Sequence, residues 1–411
     1  IEQTDELLTG RLAIAHTRWA THGKPSQNNA HPHISCDRVA VVHNGIIENY
    51  QDLKVKQQQQ GYVFESETDT EVVAHAIHAH LTENDDILAA VKLATSEFEG
   101  AYAIGVTCKD DPDTLIAARK GSPLVIGIGI GEHFIASDVS ALLPVTQRFI
   151  FLEDGDVARI TREEVTIYDV KGNTVEREIK QSSLSATAVE LGEFKHYMQK
   201  EMFEQPQAVI DTLEGRITKS HVLVSSFGHQ SEQVFQSVQQ VQIIACGTSY
   251  HAGLVAKYWF EDILDMPCQV EVASEYRYRN PVVLNNTLFV TISQSGETAD
   301  TLAALQQIKS VKKQKDGGKL NIPTLSICNV AESSLTRASD FTCLTHAGPE
   351  IGVASTKAFT TQLVVLALLM TSIGKVQKRI TEDQEQKIVQ GLQKLPKLIN
   401  SAIEHEETIK N

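Results

Sequence analysis

A chain of 411 residues, 42% apolar and 22% charged, has the make-up of an ordinary globular protein and enough length for two or three domains rather than one core. Its net charge of −15 and pI near 5.5 argue against a nucleic-acid-binding surface, and its longest apolar run, 363–370, is far below the ~18 residues of a membrane span. Six scattered cysteines (Cys36, Cys108, Cys246, Cys268, Cys328, Cys343) form no C-x-x-C pair, which speaks against a zinc ribbon or a disulfide framework and for buried, reduced thiols in a cytoplasmic compartment.

Residues 1 to about 170 read as an α+β domain. Apolar runs predict strands over 12–15, 39–43, 101–107, 114–117, 124–128, 133–136, 149–152 and 157–160. From residue 99 onward they recur at short intervals between Gly, Asp and Pro, the pattern of an antiparallel meander. Helical periodicity covers 46–60, 70–81 and 86–97, and helices on two antiparallel sheets make an αββα domain. Thr68-Asp69-Thr70-Glu71 fits a capping box for the helix over 70–81, and Asn44-Gly45, directly after a strand, fits a turn with positive φ.

The same stretch carries candidate chemistry. Thr17-Arg18-Trp19-Ala20-Thr21-His22-Gly23 sets Arg, Trp and His within five residues, and Arg suits a bidentate grip on a carboxylate. Asn44 and Gly45 offer a side-chain amide and a backbone N–H to an oxyanion. Asp69, at the head of a helix, suits an α-ammonium group. Together these describe an amino-acid pocket with an oxyanion hole; singly, a core Trp, a surface Arg and a turn account for them. His31-Pro32-His33, His75 and His78 lack an evident third ligand and read as packing or surface histidines, so no metal is expected.

From about 170 to 195 the chain is polar and Ser-rich, a linker composition. Residues 194–209 then read as a connector helix with Tyr197, Met198, Met202 and Phe203 on an apolar face and a break or kink at Pro206. From about 232, strands over 241–245, 269–272, 288–292, 324–328 and 342–344 alternate with helices over 250–263, 298–310 and 358–373. Alternation predicts a doubly wound parallel sheet, whose ligands sit at the carboxyl ends of the strands. Residues 378–411 form a charged amphipathic stretch.

Three polar turns fall at those strand ends: Cys246-Gly247-Thr248-Ser249, Ser293-Gln294-Ser295-Gly296-Glu297-Thr298, and Glu350-Ile351-Gly352-Val353-Ala354-Ser355-Thr356-Lys357. Each precedes a helix, where free N–H groups and hydroxyls can surround an anion. Helix capping explains any one of them, but three on one sheet edge point to the phosphate of a small neutral sugar. Lys357 could reach a ligand, but a lone Lys on an outer face reads more readily as solvated.

These three motifs resemble those of sugar-isomerase (SIS) domains, the phosphosugar-binding fold. The resemblance implies that Ser249, Ser293, Gln294, Ser295 and Thr298 take a sugar phosphate, while Cys246, Gly247, Thr248, Val353 and Ser355 line the sugar. Thr17 to Gly23, His43-Asn44-Gly45-Ile46-Ile47-Glu48-Asn49 and Ser66-Glu67-Thr68-Asp69-Thr70 resemble the glutaminase domain of amidotransferases that use an N-terminal Cys nucleophile. That resemblance implies glutamine contacts by Arg18, Trp19, Thr21, His22 and Asp69, and an oxyanion hole of Asn44 and Gly45.

The pairing is similar to the glucosamine-6-phosphate synthase family, along nearly the whole chain and including His196-Tyr197-Met198-Gln199-Lys200-Glu201. The implied organisation is a glutaminase domain of N-terminal-nucleophile type over 1–170, linker and connector helix over 171–231, a first SIS domain over 232–376, and over 377–411 the start of a connection to a second SIS domain. The implied activity turns fructose 6-phosphate and glutamine into glucosamine 6-phosphate and glutamate, with no cofactor, in a homodimer, with no nucleic acid or membrane as partner. The family's N-terminal Cys and second SIS domain are not in these 411 residues; Ile1 opens the chain, so both ends are expected to be cut and the fragment to be inactive on glutamine. A non-catalytic phosphosugar sensor or pseudoenzyme is the alternative. No basic recognition helix accompanies the SIS motifs, and no GxxxxGK[ST] loop points to an ATP-dependent amidotransferase.

Overall fold

The computed structural model describes residues 10–17, 23–24, 26–182, 190–314, 320–331 and 333–410. Contacts divide the chain into two compact units, 1–186 and 187–411.

In the first unit the described strands are β1 (His33–Ser35), β2 (Val39–Ile47), β3 (Gly100–Cys108), β4 (Asp111–Lys120), β5 (Val125–Ile128), β6 (His133–Ala136), β7 (Arg148–Phe151), β8 (Val157–Ile160), β9 (Val165–Tyr168), β10 (Thr174–Val175) and β11 (Ile179–Gln181). They form two antiparallel sheets, ordered β1-β2-β3-β4-β8-β9-β10 and β11-β7-β5-β6. The helices are α1 (Tyr50–Gln59), α2 (Glu71–Asn84) and α3 (Ile87–Ser96). Strand alternation gives the larger sheet two buried faces. Val41, Ile104, Val106 and Ile116 pack with Val72, Val73, Ile77 and Val91 of α2 and α3. Their sequence neighbours Ala103, Leu115 and Ala117 point the other way and meet Ile126 and Ile150 of the second sheet, and Leu152 just after it.

Several expectations need correction. Residues 12–15 carry no strand, although Leu12 and Ile14 do pack on the core between the sheets. The helix expected from residue 46 starts at Tyr50, because pairing with β3 keeps Ile46 and Ile47 in β2. Asn44 and Gly45 therefore lie within a strand rather than a turn, and of the two only Gly45 has positive φ, at 135°. The capping box does not form: Thr70 is the N-cap of α2 without a side-chain cap bond, and its hydroxyl goes to His43. Glu71 turns back instead and accepts the N–H groups of Glu65 and Ser66. Strands β10 and β11 occupy part of the stretch read as linker; residues 183–189 of that stretch lie outside the described residues.

The second unit is built on one parallel sheet of β12 (Gln240–Ala245), β13 (Cys268–Val272), β14 (Thr287–Ser293), β15 (Thr324–Cys328) and β16 (Phe341–Leu344), in the order β13-β12-β14-β15-β16. Its helices are α4 (Tyr197–Leu213), α5 (Ser231–Ser237), α6 (Gly247–Leu264), α7 (Ala273–Arg277), α8 (Ala299–Gln314), α9 (Ser334–Ala338), α10 (Lys357–Val376), α11 (Glu382–Ile403) and α12 (Glu406–Lys410). Ile243, Val290 and Ile327 face the α6 and α10 side, whereas Ile244 and Phe289 face α7, α8 and α9, so the sheet is covered on both faces as a doubly wound fold requires. Helix α10 is long and apolar enough to cross a membrane by composition and length, unlike the shorter apolar run expected from sequence, and 72% of its apolar window is buried in this core. Pro206 sits inside α4 without ending it; the side chain of Gln205 donates to the Met202 carbonyl (3.0 Å) that the missing proline N–H leaves open.

Candidate functional site

In a sheet ordered β13-β12-β14-β15-β16, the chain leaves β12 toward one edge and returns to β14 on its other side. The crevice of such a sheet opens at the carboxyl ends of the strands flanking that reversal. The first polar turn follows β12 and the second follows β14, and these strands are paired up to Ala245 and Ile292. Both turns therefore lie at the switch point, where elementary topology puts a ligand.

Each turn is shaped by its own residues. Cys246 is the half-buried N-cap of α6, Gly247 has φ 55° in open space, Gly247 and Thr248 are exposed, and Ser249 is buried. Burial pushes the Cys246 thiol up, so it is protonated at neutral pH. In the second turn the buried Ser293 hydroxyl accepts the Gly296 N–H (3.0 Å) and bonds Thr298 Oγ1 (2.9 Å), while Ser295 Oγ accepts the Glu297 N–H (3.2 Å). Gln294, Ser295 and Thr298 are partly exposed. Glu297 reaches across to accept the Ser334 N–H (2.8 Å), which ties the turn to α9.

The segment that leads into the third turn is tied to the second turn through Asn329, directly after β15. Its N–H donates to the Gln294 carbonyl (3.1 Å), its side-chain amide donates to the Gly348 carbonyl (2.7 Å), and its Oδ1 accepts the Ala347 N–H (2.8 Å). Val353 is 80% exposed. The Ser355 hydroxyl donates to Glu350 (2.9 Å), whose other oxygen accepts the N–H groups of Thr356 and Ala358 at the start of α10. Lys357 is not solvated as expected: it is 3% exposed and its Nζ lies 2.6 Å from Glu204 of α4. Sequence reasoning gave no role to Asn329, Glu350 or Glu201. A signal existed for Glu201, because α4 buries Ala208 and Thr212 on the stripe that also contains position 201.

In the first unit Asn44 is exposed and lines a cavity of about 390 Å³ together with His16, Thr17, Gly105, Pro123 and Ser137. Strand alternation sends its neighbour His43 to the opposite side, where the buried ring bonds Thr70 Oγ1 (3.0 Å). Asp69, 3% exposed, accepts the Ile47 N–H (2.9 Å) and so stands at the same end of β2 as Gly45. Arg18, Trp19, Thr21 and His22 lie outside the described residues. His75 bonds Ser35 Oγ (2.8 Å), His78 bonds Tyr62 (2.8 Å) and His33 bonds Thr68 (3.0 Å). Cys108, Cys268, Cys328 and Cys343 are buried free thiols, as expected, whereas Cys36 is exposed.

Two family models match: a glutamine amidotransferase domain over residues 16–144 and a SIS domain over residues 235–372. The chain is 56% identical over 402 residues to the glutamine–fructose-6-phosphate aminotransferase (isomerizing) of Pseudomonas aeruginosa, covering 98% of this chain and 64% of the relative. It is 55% identical over 402 residues to that of Acinetobacter baylyi, covering 98% and 65%, and 53% identical over 402 residues to that of Vibrio parahaemolyticus, covering 98% and 64%. The chain thus spans a little under two thirds of the length of these relatives. The solved C-terminal domain of glucosamine-fructose-6-phosphate aminotransferase from Francisella tularensis superposes with a TM-score of 0.51 at 43% identity, covering 54% of this chain and 60% of that one.

Proposed function

The chain belongs with the glutamine–fructose-6-phosphate aminotransferases that it matches along 98% of its length, and on that premise we propose that it is the part of such an enzyme that holds glutamine in its first domain and fructose 6-phosphate in its second. The whole enzyme moves the amide nitrogen of glutamine to fructose 6-phosphate and yields glutamate and glucosamine 6-phosphate. What carries this reading is identity of 53–56% running through both domains. The position of the first two polar turns at the switch point supports it independently.

In this reading Ser249, Ser293, Gln294, Ser295 and Thr298 hold the phosphate dianion with neutral hydroxyls and amides. Cys246, Gly247, Thr248, Val353 and Ser355 line the sugar. In the first domain Arg18 grips the glutamine α-carboxylate, Asp69 takes its α-ammonium, and Trp19, Thr21 and His22 complete the pocket. Asn44 and Gly45 stabilise the oxyanion that forms when the amide carbon is attacked; donors placed in advance cost no reorganisation at that moment. The two domains are joined through residues 171–231, which begin with β10 and β11 of the first unit and continue into α4 of the second, and the enzyme acts as a cytoplasmic homodimer.

Titration calorimetry of this chain with fructose 6-phosphate tests the sugar site. We expect saturable binding, weakened in Ser295→Ala by about 1.5–3 kcal/mol, the worth of one hydrogen bond to a charged acceptor. Absence of binding, or equal affinity in the variant, overturns the assignment.

A further inference from the structure

Helix α4 carries a carboxylate on its buried side. Glu201 is 2% exposed, and its Oε1 accepts the backbone N–H of Ile351 (2.5 Å) and of Gly352 (2.9 Å). Its Oε2 is buried with no hydrogen-bond partner and lies 2.5 Å from where a Cβ on Gly352 would stand. Leaving a buried carboxylate oxygen unpaired costs stability, so packing alone would not select this residue here. What Glu201 secures is the backbone of the loop. Farther along α4, Glu204 meets Lys357 and Gln205 accepts the Thr360 hydroxyl (2.6 Å), so one helix grips both the loop and the first turn of α10. From the other side Glu350 holds Ser355, Thr356 and Ala358. Val353 stands between these two grips.

We infer that Glu201 is a positioning residue for sugar recognition, fixing the loop 351–355 from α4 so that Val353 and Ser355 meet the carbon chain of the ligand. The inference rests on the fructose 6-phosphate reading above. It also gives the ligand a direction. The N–H groups of Ile351, Gly352, Thr356 and Ala358 are already engaged by two carboxylates, so this loop repels a phosphate and leaves the 293–298 turn to receive it.

The test titrates the 411-residue chain separately with fructose 6-phosphate and with inorganic phosphate, in wild type, Glu201→Ala, Glu201→Gln and Gly352→Ala. Amide hydrogen exchange at Ile351 and Gly352 is followed alongside. Glu201→Ala should weaken fructose 6-phosphate roughly tenfold or more while phosphate affinity stays within about twofold, and exchange at both amides should accelerate. Gly352→Ala should give the same selective loss by pushing the carboxylate away. Glu201→Gln retains an oxygen for the two N–H groups and should show a smaller loss; if Glu201→Ala does not fold, Gln and the Gly352 variant carry the comparison. Unchanged fructose 6-phosphate affinity in the variants, or equal losses for both ligands, overturns the inference. Wild-type protein that binds neither ligand overturns the sugar-phosphate reading itself, and the inference with it.

Discussion

At Gly45 the chain needs a conformation that other residues rarely adopt, with φ at 135° near the carboxyl end of β2. An added Cβ would overlap the Ala101 carbonyl oxygen of β3 and stand 2.8 Å from Ser122 Oγ. Gly45→Ala must therefore strain the backbone and pry β2 from β3, and it should lower the stability of the first unit by about 3 kcal/mol, read as a lower urea midpoint at unchanged slope. Gly296, at φ 68°, is hemmed in by Ser333 and by Cys328 Sγ at 2.6 Å, so Gly296→Ala should cost a similar amount in the second unit. Gly247 is the control: φ is 55° but nothing lies within 4 Å, so its alanine variant should cost only about 1 kcal/mol. If all three variants lose the same stability, the neighbours are irrelevant and only φ matters. The sequence marked Gly45 as a positive-φ position next to Asn44, yet the reason for it belongs to Ala101, a residue that only sheet pairing brings close.

Glu71 shows how an element's start can be set by charge rather than by a standard cap. Burial alone would raise its carboxyl, but the His75 ring 3.7 Å away and hydrogen bonds from the Ser66 hydroxyl and the Glu65 and Ser66 amides outweigh that and hold it down to about 2. Unfolded, the group titrates near 4.5. Because the folded value is the lower one, the stabilisation is fully present above 4.5, on the order of 3 kcal/mol, and is lost as pH falls from there toward 2. Glu71→Gln should thus destabilise the first unit at pH 7 and flatten its stability profile below pH 4.5; an unchanged acid limb would refute the assignment. Sequence reasoning saw Glu71 and the helix that follows but chose the wrong partner for it. Thr68 lies three residues before, the spacing of a capping box, whereas the true partners Glu65 and Ser66 precede that window. The same limit applied to α1, whose helical periodicity ran back into β2: periodicity alone could not say that pairing with Gly100 and Ala101 would hold Ile46 and Ile47 extended.

Across the whole chain, alternation of strand and helix was enough to read a parallel, doubly wound second unit, and regular short strands were enough to read antiparallel sheets in the first. Strand order was not legible, because nothing local to β12 or β14 encodes that β13 lies at the edge. Yet that order is what makes the turns after β12 and β14 neighbours. The connector's membership was hidden for a similar reason: α4 looks like a linker helix, but its buried stripe belongs to the second unit, with Val209 and Leu213 in the core that also holds α6 and α10. Among the described residues, both cores of that unit draw on positions from 209 onward, and the grip of α4 on the sugar-side loop starts at Glu201. A chain limited to 187–411 should therefore unfold cooperatively and bind fructose 6-phosphate within about twofold of the full chain, because it keeps every residue that shapes the three turns. A chain starting at 214, beyond α4, should lose that binding even if its sheet survives, since Glu201, Glu204 and Gln205 go with the helix. Equal affinity of the two truncations would mean that the loop before α10 holds its shape without α4.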